Sequence, residues 1–355
     1  MASAGYDSAS DDESDGGSAS CVCSARASSV TTEDWDMRSA SPGPSVFSMT
    51  SSMRINAFRQ EYGRGLNNYS EIYRLPADEE ELERLDQQHA MFREIMGKYP
   101  PPIFEVLADT PGQVKTVVDL GCGSGSWIVD VARDFPNCSC VAVDLIPMQI
   151  IDIPPNCRSE VDDINLGLQH FYGEFNVAHA RLISTGIRDY KGLVDQISHV
   201  LKPGGLIDLT EFDFRVYDFD KQPIPITVDA SPLARWFHLA LRAVQMQGGE
   251  PDAANHLYGW TRDHGAFEDV QYREWWLQTS CWNPGQDDEA RQKNRWGAAM
   301  REDILAFLKS GRPLLLGTGV PEQILNPLEE EAERELMEAR VPTYVRIQNV
   351  YGRRR

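Results

Sequence analysis

The run Val117-Val118-Asp119-Leu120-Gly121-Cys122-Gly123-Ser124-Gly125 constrains the fold more than any other stretch of this chain. An apolar strand with an acid near its end runs into three alternating glycines. Val141-Ala142-Val143-Asp144 then reads as a second apolar strand that ends in another acid. A strand turning sharply into a helix needs backbone angles that glycine adopts without strain, and no side chain where the backbone lies against a ligand. Asp119 stands at the mouth of that turn. Asp144, about 20 residues beyond the glycines, is where a carboxylate can accept hydrogen bonds from both hydroxyls of a ribose. The pattern predicts a nucleotide-type pocket.

The spelling separates two ligand classes. A dinucleotide fingerprint is G-x-G-x-x-G, with backbone amides on a pyrophosphate. Here the glycines read G-x-G-x-G, followed by Ser126 and Trp127, with an acid in front. Asp119 would repel a pyrophosphate but could order water around, or attract, the cationic amino-acid end of S-adenosylmethionine. The cofactor expected is therefore S-adenosyl-L-methionine, with a nicotinamide dinucleotide as the alternative.

The following residues complete a repeating strand–helix unit. Ser159-Glu160-Val161-Asp162-Asp163-Ile164 comes after a third short strand and puts an acid where an adenine amino group should lie. Phe175–Arg181 reads as a fourth strand. Tyr190, Leu193, Val194, Ile197, Val200 and Leu201 then recur at helical spacing, Leu201-Lys202-Pro203-Gly204-Gly205 stops that helix, and Leu206-Ile207-Asp208-Leu209 opens strand five. Such alternation predicts an α/β, Rossmann-like doubly wound sheet with its ligand outside the carboxyl ends of the strands. The expected cofactor-binding residues are Asp119, Gly121, Gly123, Gly125, Asp144, Leu145, Asp162, Asp163 and Ile164.

In this order, the glycine turn, the ribose acid, the adenine acid and the Lys-Pro-Gly-Gly turn resemble class I S-adenosylmethionine-dependent methyltransferases over about Pro100–Phe214. Upstream, Tyr73, Pro76, Asp78, Glu79, Arg84, Leu85, Asp86 and His89 resemble the segment before the glycine turn in LaeA-like fungal methyltransferases, which include regulators and pathway enzymes of secondary metabolism. Family members often carry a compact Asn-Gly-Arg-x-Tyr stretch before this segment; here Glu61-Tyr62-Gly63-Arg64 and Tyr69 are spread out. The resemblance implies a seven-stranded sheet whose last strand slips back antiparallel beside strand six. Phe267–Leu277 and Tyr344–Tyr351 are placed for those two strands. It also implies methyl transfer to a small metabolite or a protein, or, as the alternative, a regulator of secondary-metabolite gene expression acting largely through protein partners.

Asp78 can cap a helix in which Glu81 closes a capping box and Leu82, Leu85, His89, Phe92, Ile95 and Met96 share a face. The family resemblance places that helix over the cofactor and acceptor openings. Further helices are expected over Ser231–Met246, Glu289–Leu308 and Leu328–Arg340. Trp236, Trp260, Trp275, Trp276, Trp282 and Trp296 could fill core or line an acceptor pocket, with Trp260 ranked first as pocket-facing. His179, at the carboxyl end of strand four, is the positional candidate for a catalytic base or an acceptor contact. Arg181 beside it could bind an anionic acceptor or pair with an acid.

Length and composition bound the rest. Residues 1–52 are rich in Ser, Asp, Gly and Ala with few large apolar side chains, so a disordered tail is expected there, either a solubilising extension or a phosphorylated regulatory arm. Residues 53–355 are expected to form one methyltransferase domain, with the cofactor core at about 100–214 and acceptor-side helices and the last two strands at about 215–355. A net charge of −20 opposes a broad nucleic-acid footprint. There is no apolar run of membrane-spanning length and no secretory pattern, which points to a soluble cytoplasmic or nuclear chain. Cys21-x-Cys23 and Cys138-x-Cys140 lack the second ligand pairs of a zinc site, so no metal is expected.

Overall fold

The computed structural model describes residues 57–150, 152–227 and 229–355. The expected tail over residues 1–52 lies outside them.

The chain enters through a hairpin that the sequence reading did not foresee, β1 (Phe58–Glu61) and β2 (Arg64–Asn67). Tyr62 and Gly63 both have positive φ, +50° and +78°, the geometry of a two-residue turn that matches strand twist. Arg64 then forks onto the carboxylate of Asp78, with Nε to Oδ2 and Nη2 to Oδ1 both at 2.8 Å. Asp78 also caps α1 (Glu79–Met96) by accepting from the amide of Glu81, and three acids in the first turn suit the positive end of the helix. Only half of the expected capping box forms. The Glu81 side chain turns inward to Arg84 and Ser310 rather than back to Asp78.

The remaining helices are α2 (Ile103–Val106), α3 (Ser126–Asp134), α4 (Tyr190–Val200), α5 (Pro232–Gln247), α6 (Leu257–Asp263), α7 (Asp288–Gly317) and α8 (Glu322–Glu338). The strands are β3 (Thr116–Leu120), β4 (Ser139–Asp144), β5 (Cys157–Val161), β6 (Phe175–Arg181), β7 (Leu201–Phe212), β8 (Phe267–Gln278) and β9 (Tyr344–Arg354). Seven of them form one sheet in the order β5-β4-β3-β6-β7-β9-β8. The first five run parallel, and β9 inserts antiparallel to both β7 and β8. This is the sheet expected of a class I methyltransferase. Val117, Val118 and Leu120 of β3 and Val141–Val143 of β4 are buried because helices cover both faces of a parallel sheet.

Three local expectations change. Leu201–Gly205 does not separate helix from strand. β7 begins at Leu201 opposite Phe175, but Val177 pairs with Leu206, so Lys202-Pro203-Gly204-Gly205 bulges from the ladder. Ser159, Glu160 and Val161 belong to the third strand itself, and only Asp162, Asp163 and Ile164 follow it. Helix α7 runs through Gly311 and Pro313 to Gly317, where the sequence suggested a stop at Leu308. Its Gly311 lies flat on Trp236, whose ring leaves no room for a side chain there.

An apolar core lies on each side of the sheet centre. A third, among α1, α5, α7, α8 and the β8–β9 end, includes Phe92, Trp236, Phe237, Leu308 and Ile347. The site opens where this third core meets the carboxyl ends of β3 to β6.

Candidate active site

The glycine turn departs from β3 with Gly121 at φ +71° and Gly123 at +56°, left-handed angles that cost other residues strain. A Cβ on Gly121 would stand 2.5 Å from Ile183 Cγ2, and one on Gly123 2.9 Å from Leu85 Cδ1. The absent side chains thus let Ile183 of the loop after β6 and Leu85 of α1 pack closely on the turn. Gly125 begins α3.

Asp144 ends β4 under this turn. Its Oδ2 accepts from the amide of Gly123 at 2.8 Å and its Oδ1 from that of Ile146 at 3.2 Å. The carboxyl opens onto a pocket but is ringed by protein, and that burial pushes it up to about 6 against the pull of the Gly123, Ile146 and Leu145 amides. Past β5, Asp163 Oδ1 accepts from the backbone and side-chain nitrogens of Asn165, while Asp162 lies 3.3 Å from His170. Asp119 sits on β3 directly opposite His179 of β6 and accepts from its Nδ1 at 2.8 Å. The His179 ring is buried and stacks on Trp127, centroid to centroid 3.7 Å and nearly parallel.

One pocket takes in Asp119, Gly121, Gly123, Asp144, Leu145, Asp162, Asp163, Ile164 and His179. Of the expected cofactor-site residues only Gly125 is not on its wall. The loop after β6 closes the far side. Leu182 there holds φ +57°, and buried Glu211 pins the loop by accepting from the amides of Ile183 at 2.7 Å and Ser184 at 3.0 Å. Burial pushes Glu211 up to about 7. No sequence pattern marked this residue, which shares β7 with a second buried acid, Asp208.

The same pocket is also walled by Phe92, Phe212, Phe237, Met300, Ile304 and Phe307, which form an apolar chamber. The six C-terminal tryptophans are not on its wall. Trp260, expected to face the pocket, instead stacks on Tyr190 and His256. α1 roofs the chamber with a face that is polar where apolar residues were expected. Glu81, Arg84, Gln88 and His89 are buried there with Met91 and Phe92, while Leu82 and Leu85 are only partly so. Arg84 pairs with Glu81 at 2.7 Å and with Asp303 of α7 at 2.8 Å, and Gln88 donates to Asp303 at 3.0 Å. This network ties the roof to α7. Among the described residues no helix is long and apolar enough to cross a membrane.

The strand order, the glycine turn and the acids at successive strand ends define a class I S-adenosylmethionine-dependent methyltransferase. A family model described as a methyltransferase domain matches residues 88–280. The chain is 44% identical over 302 residues to the secondary metabolism regulator laeA of Coprinopsis cinerea, covering 83% of this chain and 74% of that protein. It is 25% identical to the methyltransferase str2 of Strobilurus tenacellus, over 75% and 90% of the two chains. It is 26% identical to the protein-methionine methyltransferase laeA of Emericella nidulans, over 75% and 69%. The chain belongs to the LaeA-like methyltransferases.

Proposed function

We propose that this chain moves a methyl group onto an acceptor that enters the phenylalanine chamber, either a small metabolite or a protein side chain, in fungal secondary metabolism. The observation that carries this reading is the continuity of one pocket from the strand-end acids into the chamber. S-adenosylmethionine, when bound, supplies a methyl group already activated by its sulfonium. The chain's own residues then bind, align and exclude water, and alignment alone is worth about 7 to 11 kcal/mol of barrier.

In this reading Asp144 accepts from the ribose hydroxyls, Leu145 packs beside it, and Asp162, Asp163 and Ile164 meet the adenine edge. The backbone of Gly121 and Gly123 lies against the ligand, and Gly125 starts the helix that supports the turn. Asp119 faces the cationic end. Asp119 also accepts the Nδ1 proton of His179, so Nε2 carries the lone pair and can take a proton from a hydroxyl or amine acceptor. A base of this kind is worth roughly 10²- to 10⁴-fold. A thioether acceptor loses no proton and needs none. The name of the Emericella relative favours a methionine side chain as one acceptor, and an unbranched thioether fits an apolar chamber.

A second reading follows from the relatives named as regulators, in which the site serves a regulatory role exerted through protein partners. Residence in the cytoplasm or nucleus accords with both readings. Incubating the full chain with S-adenosylmethionine and host extract, followed by mass spectrometry for +CH₂ products, tests the enzyme reading. Products on metabolites or proteins that vanish with Asp144→Ala support it. Donor binding without any methylated product would favour the regulatory reading.

A further inference from the structure

The strand order fixes which part of an adenosyl ligand meets which residue. Across the sheet, Asp162 and Asp163 follow β5, Asp144 ends β4, the glycine turn follows β3, and Arg181 ends β6. β3 and β6 are parallel neighbours with Leu120 opposite Ala180, which sets Arg181 level with Gly121. A ligand with its adenine at β5 and its ribose at β4 therefore brings its amino-acid end over β3 to β6.

Arg181 waits there as a cation without an acid. Its guanidinium lies 5.6 Å from the centre of the Phe92 ring, and Nη2 donates to His89 Nδ1 at 3.1 Å. Among the described residues no carboxylate oxygen lies within 4.0 Å of it. Arg84, the other arginine on the pocket wall, is by contrast held by two carboxylates. Burial pushes the Arg181 guanidinium below its ordinary value, because Asp119, Asp208 and Asp130 act on it only from a distance. A buried charge is costly unless something pairs with it.

The guanidinium is also aimed. His89 accepts from Arg181 at Nδ1, so its proton sits on Nε2 and is donated to Asp130 Oδ2 at 3.1 Å. Burial holds His89 below its ordinary value and so favours the neutral ring that this arrangement needs. His89 on α1 and Asp130 on α3 thereby fix the cation at the end of β6.

We infer that Arg181 binds the α-carboxylate of the methyl donor, with His89 and Asp130 as its positioning residues. The inference rests on the pocket reading above and deepens it. An anionic acceptor would present the same chemistry to Arg181, and the test separates the two sources.

The test titrates the full chain calorimetrically with S-adenosylhomocysteine and with S-adenosyl-3-thiopropylamine, which lacks only the carboxylate. Wild-type protein should bind the first about 10- to 100-fold more tightly, the range of a hydrogen-bonded charged group. Arg181→Gln should erase that preference while leaving the affinity for the analogue unchanged, and Arg181→Lys should keep part of it. Equal wild-type affinity for the two ligands overturns the inference whether or not a variant folds. So does an Arg181→Gln protein that keeps the full preference, which would assign the cation to the acceptor, or one that loses both ligands equally, which would make it structural. Asp144→Ala should weaken both ligands together. If it weakens neither, the pocket reading itself fails.

Discussion

Replacing Asp144 by Asn separates binding from stability. Burial lifts the carboxyl from 3.8 to about 6, and about two units correspond to roughly 3 kcal/mol against the charged form at neutral pH. Because the group borders an open pocket, solvent screening reduces this to about 1 to 2 kcal/mol. Asn removes that penalty. Its amide nitrogen must then face the N–H of either Gly123 or Ile146, at a cost of about 1 kcal/mol. The two effects nearly cancel, so the ligand-free Tm should stay within about 4 °C of wild type. Binding has no such compensation. Loss of a charged acceptor for the ribose hydroxyls should weaken S-adenosylhomocysteine by about 1.5 to 3 kcal/mol, or about 10- to 100-fold. A thermal melt without ligand and a calorimetric titration measure the two quantities. Wild-type affinity in the variant would refute the ribose assignment, and a fall in Tm beyond about 10 °C would refute the reasoning about burial.

Affinity should also depend on pH. The folded value of Asp144 lies above the ordinary carboxylate value, so protonation favours the ligand-free fold, a contribution lost as pH rises through about 6. Donor binding has the opposite sign, because it uses the ionised form. Affinity for S-adenosylhomocysteine should therefore fall up to about tenfold per unit below pH 6 and be flat there in Asp144→Asn; a flat wild-type profile between pH 5 and 7 would contradict this. Arg84→Ala should destabilise the fold by about 3 to 5 kcal/mol in urea melts, since it strands buried Glu81 and Asp303 together. A loss under about 1 kcal/mol would show that water replaces the guanidinium.

Much of the wall of the pocket was legible because it is written locally. The turn, its three glycines and the acids at the ends of β4 and β5 lie within one run of alternating strands and helices, where period and spacing carry the information. The chamber is written non-locally. Phe92, Phe212, Phe237 and Phe307 sit singly on α1, β7, α5 and α7, and no local pattern distinguishes them from core. The tryptophans stand out by size, yet Trp236 fills core beside α7 and Trp260 of α6 packs on Tyr190 of α4 and on His256. The polar inner face of α1 was hidden for the same reason. Glu81 reads as a capping-box partner and Arg84 and Gln88 stand off the expected apolar face, whereas their partners Asp303 and Ser310 lie over 200 residues away. The expected helices Glu289–Leu308 and Leu328–Arg340 differ from the observed ones because packing carries α7 on through Pro313 and starts α8 ahead of Pro327.

A crystal structure of the full chain with S-adenosylhomocysteine tests the central claim most directly. The account predicts ribose hydroxyls on Asp144, adenine against Asp162, Asp163 and Ile164, the carboxylate on Arg181 and the sulfur turned toward the phenylalanine chamber. Ligand bound in the reverse direction, or outside this pocket, would contradict it.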